Sequence, residues 1–147
     1  MPILKKLGRA VLVSFALVGL VACEQESLAY RHIKDLPLSK WESYSLTLPV
    51  EERLNLQKEI MERSGHNPQM TIEGAFSKQP DETYKAIVRR LKNNDRSRYY
   101  LSVLYEINRS PNFKICSQPD RKIVQTYLLT VVDYPEGGRF HPDFYSC

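Results

Sequence analysis

The sequence predicts an all-α fold, a small bundle of four to five helices with one intramolecular disulfide. Three observations carry this. Apolar residues recur as Tyr84, Ile87, Val88, Leu91 and again as Tyr100, Val103, Leu104, Ile107. That is the i, i+3, i+4, i+7 spacing of one helix face. Pro49 precedes Glu51 and Glu52, and Pro80 precedes Asp81 and Glu82. Proline suits the first helical position and the helix dipole favours anions in the first turn, so both mark helix starts. Finally, Cys116 and Cys147 lie on either side of the last helical stretch.

The chain opens on a different kind of segment. Lys5, Lys6 and Arg9 form a basic region without an acid, and Ala10 to Ala22 is almost wholly apolar. A bilayer-spanning helix needs about 20 apolar residues, so this run is too short to span. Basic flank, short apolar core and small residues at its end make residues 1–22 a secretory signal. Its close, Leu20-Val21-Ala22-Cys23, resembles the lipobox of bacterial lipoproteins. The resemblance implies that the Cys23 thiol is acylated with a diacylglycerol and that the signal is then removed. The plainer alternative is an ordinary signal with a chance cysteine. Buried acyl chain contributes about 0.8 kcal/mol per CH2, and one chain alone holds only marginally. A lipoprotein cysteine carries more than one, so attachment is expected to be durable. In enteric lipoproteins an aspartate after the cysteine favours the inner membrane. Here Glu24 follows, which points to the periplasmic face of the outer membrane.

The full chain has 21 Lys and Arg against 17 Asp and Glu, a net charge of +4. Three of those bases lie in the signal, so the remainder carries 18 bases against 17 acids, or +1. This removes the composition case for a nucleic-acid partner. The 125 residues from Cys23 onward fit one domain with its own core.

Residues 23–48 are expected to form the lipidated N-terminus and tether, and 49–147 the helical domain. Glu24 to Asp35 reads as the tether proper; 12 extended residues would reach roughly 40 Å. Leu36, Leu38, Trp41, Tyr44 and Leu46 are too apolar for a pure spacer and are expected to lie on the domain. A first helix runs from about Pro49 to Ser64, with Val50, Leu54 and Met61 on one side, Leu56 and Ile60 beside it, and Gly65 as a left-handed stop. Residues 66–79 read as a short helix or an ordered loop. A second helix runs from Pro80 to about Asn93, a third from about Asp95 to Asn108, and the tight turn between them makes an antiparallel hairpin. After the break at Ser110-Pro111-Asn112, a fourth helix runs from about Pro119 to Asp133. Its β-branched content allows a strand, but 15 residues is long for one. A Pro/Gly loop, 135–142, and an aromatic tail end the chain.

With Cys23 consumed by lipid, two cysteines remain in an oxidising compartment, which implies a Cys116–Cys147 disulfide. Closing that loop contributes about 3–4 kcal/mol on a chain-entropy view. Metal ligation is the rival, but no CxxC or HxxxH spacing supports it. His32, His66 and His141 lie far apart. No GxSxG, P-loop, HExxH or Gly-rich nucleotide turn occurs. The expectation is therefore no catalytic residue, no metal and no cofactor. One charge cluster stands out. Lys78, Lys85, Arg89, Arg90, Lys92, Arg96 and Arg98 face Asp81, Glu82 and Asp95, a local +4. Such a face steers an acidic protein partner or an anionic polymer, unless it is only a solvated helix surface. Arg89, Arg90, Lys92, Arg96 and Arg98 are the expected contacts, and reversing Arg89 and Arg90 to glutamate is expected to cost little stability. Loop residues His66, Arg139 and His141 are further candidates, being held between rigid helices.

From Tyr99 onward the layout resembles the Tai/Rap group of type VI secretion immunity proteins. The matching residues are Tyr100-Leu101-Ser102-Val103-Leu104, Cys116, Pro119, Gln125, Tyr127-Leu128, Pro135 and Cys147. The helix from 95 lacks a small glycine expected there, and the stretch from Pro135 to Cys147 is short for the family's final helix. The resemblance implies a periplasmic inhibitor that neutralises an exported effector, commonly a peptidoglycan amidase. The alternative is a structural or assembly lipoprotein of an envelope or secretion complex, for which a long tether would matter. An enzyme acting on cell-wall polymer ranks last.

Overall fold

A computed structural model describes residues 25–65, 67 and 69–131. Within them the chain is all-helical: seven α-helices and one 3-10 turn, with no strand. Two of the seven, both before residue 49, were not expected and change where the domain begins; a third, within residues 66–79, takes the short-helix alternative.

Helix α1, Leu28–Lys34, is capped by Ser27, whose hydroxyl accepts the Tyr30 N–H at 3.0 Å. It buries Tyr30 and Ile33 in the core. Helix α2, Leu38–Ser45, buries Trp41, whose indole N–H donates to the Leu36 carbonyl at 3.1 Å. The stretch from Leu28 to Asp35 is therefore folded rather than tether, and the unit begins well before residue 49. These helices have 7 and 8 residues, about two turns each, too few to repeat an apolar face.

Helix α3, Val50–Arg63, starts at Pro49 and ends before Gly65, which takes the left-handed conformation at φ +62°. Leu54, Leu56 and Ile60 are buried, and Val50 packs against them from the edge. Arg53 is buried as well, at 1% exposure. Its guanidinium donates to the carbonyls of Ser45 and Leu48 at 2.9 and 3.0 Å and to Gln79 Oε1 at 2.9 Å. A buried charge persists only when it is hydrogen-bonded this fully, and here it ties the end of α2 to α3. Between α3 and the next long helix, α4, Glu73–Ser77, buries Ala75 and Phe76.

Helix α5, Pro80–Lys92, is amphipathic as expected, with Tyr84, Ile87, Val88 and Leu91 buried. The chain reverses at Asn94, at φ 63°. Helix α6, Tyr100–Asn108, starts five residues later than expected. The reason is local: Asp95 accepts the Ser97 N–H at 3.3 Å and the Tyr100 hydroxyl, a side-chain turn that competes with helix. After a 3-10 turn at Ile115–Ser117 comes α7, Arg121–Val131. Asp120 sits at φ 59°, outside the right-handed helical region, so the helix cannot begin at Pro119. The expected end at Asp133 lies outside the described residues.

In one row α1 packs on α3, α3 on α5 and α5 on α7; in a second, α2 packs on α4 and α4 on α6. Helix α5 also touches α4 and α6, so it is the hub. Among the described residues, no helix is long and apolar enough to cross a membrane.

Candidate functional site

Because α5 is the hub, only a narrow face of it reaches solvent. Lys85, Arg89 and Lys92 stand on that face at i, i+4 and i+7 and are exposed. They rim an open groove of about 370 Å³ between α5 and the 118–120 turn. Tyr84 and Val88 contribute its apolar floor, and Pro119 and Asp120 its far wall. The Tyr84 hydroxyl donates to the Pro119 carbonyl at 2.8 Å and so holds that wall in place. Burial, with Asp120 adding to it, pushes Tyr84 up to about 12. The phenol thus stays a neutral donor.

Two rim cations already have partners. Lys92 donates to Asp120 at 3.0 Å, and Arg89 Nε donates to Glu51 at 3.1 Å. These pairs are exposed on both sides, where an ion pair contributes only about 0–1 kcal/mol. A partner's carboxylates can replace them at little cost. Three cations against the carboxylates of Asp120 and Glu51, the second shared with Arg90, leave the rim with a small positive excess.

The structure divides the expected basic cluster. Arg90 turns away from the groove, with its side chain 17% exposed. It donates to Glu51 Oε2 at 2.6 Å, the Glu51 carbonyl at 2.8 Å, Asn55 at 2.9 Å and the Tyr100 hydroxyl at 3.3 Å. Burial opposes its charge, but the hydrogen bonds to Tyr100 and Glu51 outweigh that and raise its pKa. Burial likewise works against the Glu51 charge, and the hydrogen bonds from Arg89 and Arg90 overcome it and lower that carboxyl. Tyr100 is pushed up to about 12, chiefly by burial and by its bond to Asp95. Arg90 is thus a brace joining α3, α5 and α6, and the expectation that it reverses cheaply is corrected. Arg96 donates to Asn94 at 3.3 Å, and Arg98 lies over the Tyr99 ring at 5.2 Å. Both sit beyond the end of α5 and do not line the groove. Lys78 pairs with Glu42 at 2.6 Å.

Of the loop candidates, His66, Arg139 and His141 lie outside the described residues, as do Cys23 and Cys147. Asn67 and Gln69 follow the C-terminal end of α3, whereas Arg89 meets Glu51 at its N-terminal end, so these two residues lie apart from the groove. Sequence reasoning missed Tyr84, Lys85, Pro119 and Asp120 as site residues; nothing linear joins the last two to α5. The Lys85, Arg89, Lys92 spacing was the available signal.

One further polar spot faces α6. Glu73 accepts from Gln57 at 3.3 Å. Burial first, then the nearby Glu106, raise its pKa against an opposing hydrogen bond from Ser102. Among the described residues, no group of His, Cys, Asp and Glu is arranged to hold a metal ion. No family model, no curated protein and no solved structure matches the chain.

Proposed function

We propose that the protein is a lipid-anchored inhibitor of the cell envelope, an immunity protein that docks an acidic surface of an exported effector into the α5 groove. The groove itself carries the reading: three aligned cations beside an apolar floor, on the exposed face of the hub helix beyond its acidic first turn. Apolar floor and charged rim suit a protein partner better than a polymer lying on a flat basic surface. In this reading Cys23 is acylated, the protein resides at the periplasmic face of the outer membrane, and no cofactor or nucleic acid is involved. Cys116, in the 3-10 turn just before the groove's far wall, pairs with Cys147. What supports the pairing is that two cysteines remain in an oxidising compartment once Cys23 is acylated. That bond stiffens the turn carrying Pro119 and Asp120.

One observation bears on the assembly alternative. That role calls for a spacer, and the folded unit already starts at Ser27, leaving a few residues after Cys23. The inhibitor reading is tested in cells. Deleting the gene should sensitise them to the product of a neighbouring exported hydrolase gene. Wild-type protein should restore resistance, and the Lys85→Glu, Arg89→Glu double variant should not. Full resistance of the deletion strain would end the immunity reading.

A further inference from the structure

The short stretch between the anchor cysteine and the first helix sets how the domain stands on the membrane. Cys23 and Ser27 are four residues apart, and a chain of that length reaches at most about 14 Å when fully extended. Ser27 is fixed to the fold at both its groups. Its N–H donates to Glu59 of α3 at 3.0 Å, and its hydroxyl caps α1. The headgroup layer on one side of a bilayer takes up about 5–7 Å of that reach. What is left is less than the 10–12 Å diameter of one helix with its side chains.

We propose that the first turn of α1 and the C-terminal end of α3 rest directly on the bilayer that holds the acyl chains, with Leu28 and Arg31 set into its headgroup layer. The proposal rests on acylation of Cys23. Leu28 is 78% exposed, at the first residue of α1 and away from the face that buries Tyr30 and Ile33. Arg31 is exposed one turn later on the same side. A leucine beside a cation matches the acyl boundary and the lipid phosphates above it.

The same geometry turns the groove outward. Glu59, which holds Ser27, and Glu51, beside Arg89, are eight residues apart on α3, about 12 Å along its axis. Across the row, α5 lies two helix spacings from α1, about 16–20 Å at usual packing distances. The groove therefore opens on the half of the domain away from the bilayer, reachable by a partner diffusing in the periplasm.

The test uses mature protein purified from membranes and reconstituted in phosphatidylethanolamine/phosphatidylglycerol vesicles with or without brominated acyl chains. Leu28→Trp and Leu129→Trp are compared with wild type, whose single tryptophan, Trp41, is buried; Leu129 is exposed on α7 at the far end of the row. Bromolipid should quench the new emission of Leu28→Trp severalfold more than that of Leu129→Trp. Inserting a flexible spacer of about 20 residues after Glu24, with a mean span of about 25 Å, should remove the difference. Equal quenching at the two positions, in protein that floats with the vesicles, overturns the orientation while leaving the anchor standing. So does a difference that persists with the spacer. Protein that does not float overturns the anchor and this inference together.

Discussion

Replacing Arg90 with alanine should destabilise the protein by about 2–4 kcal/mol, although the residue belongs by sequence to a basic surface run. The magnitude follows from its partners. Alanine removes four hydrogen bonds, to Glu51 Oε2, the Glu51 carbonyl, Asn55 and Tyr100. Bonds to charged groups contribute about 1.5–3 kcal/mol each in favourable settings. Here the values do not add, because Glu51 is itself 40% exposed and water screens the pair. The Glu51 carbonyl and the Tyr100 hydroxyl lose a partner where water reaches them poorly, and the arginine stem loses its packing against α3. Arg89 shares Glu51 but is exposed, so Arg89→Ala should stay within about 0.5 kcal/mol. Arg90→Lys should fall between, since an ammonium cannot span Glu51 and Tyr100 as the planar fork does. Urea unfolding of the unreduced mature protein, followed by far-ultraviolet circular dichroism, measures all three. Equal midpoints for Arg89→Ala and Arg90→Ala would refute the bracing role.

Arg53→Met should cost about 3 kcal/mol in the same assay, because it removes the guanidinium donor from the Leu48 carbonyl and Gln79 Oε1 and leaves the Ser45 carbonyl only the Leu48 N–H; a loss under about 1 kcal/mol would show that these acceptors find other donors. Glu73 has its pKa raised in the fold, so the folded state holds that proton more tightly than the unfolded chain. Stability from this residue is thus complete below the ordinary glutamate value and declines as pH rises through the raised one. Glu73→Gln should lose that decline and be more stable than wild type at neutral pH, and parallel pH profiles for the two proteins would contradict this. The Lys85→Glu, Arg89→Glu variant should associate with the effector more slowly and with a flatter salt dependence, as rim charges act mainly on the on-rate. Unchanged stopped-flow rates at two salt concentrations would make the rim inert. Cys23→Ala should leave the precursor uncut or release the protein from membranes, and unreduced mature protein should show no reactive thiol at Cys116 or Cys147 by mass spectrometry after alkylation.

The long elements were legible because each repeats an apolar face over three turns. Helices α3 and α5, of 14 and 13 residues, are long enough for this; Val50 with Leu54, and Tyr84 through Leu91, mark the face, and proline with acidic residues announces both helices. The shifts at α6 and α7 come from single residues. Asp95 caps its own turn, and Asp120 adopts a left-handed backbone that its residue type only permits. Helices α1 and α2 were hidden by brevity, although Ser27 is a fair capping signal. Arg53 was hidden by chemistry: a charged residue on a helix reads as solvent-facing, and only the converging carbonyls of α2 and its following turn make it core. The site was half legible. Charge run and helix face were in the sequence, but which cations face the groove depends on α3, which claims Arg90, and on the 118–120 turn, which supplies the far wall.

The most direct test of the groove as a docking surface is photo-cross-linking in living cells, with a photoreactive residue placed at Lys85 on the groove rim or at Lys58 on the exposed side of α3. The account predicts one exported protein captured from Lys85 and not from Lys58, and its loss when Arg89→Glu is added. Capture of the same protein from both positions, or capture from Lys85 that survives Arg89→Glu, would contradict it.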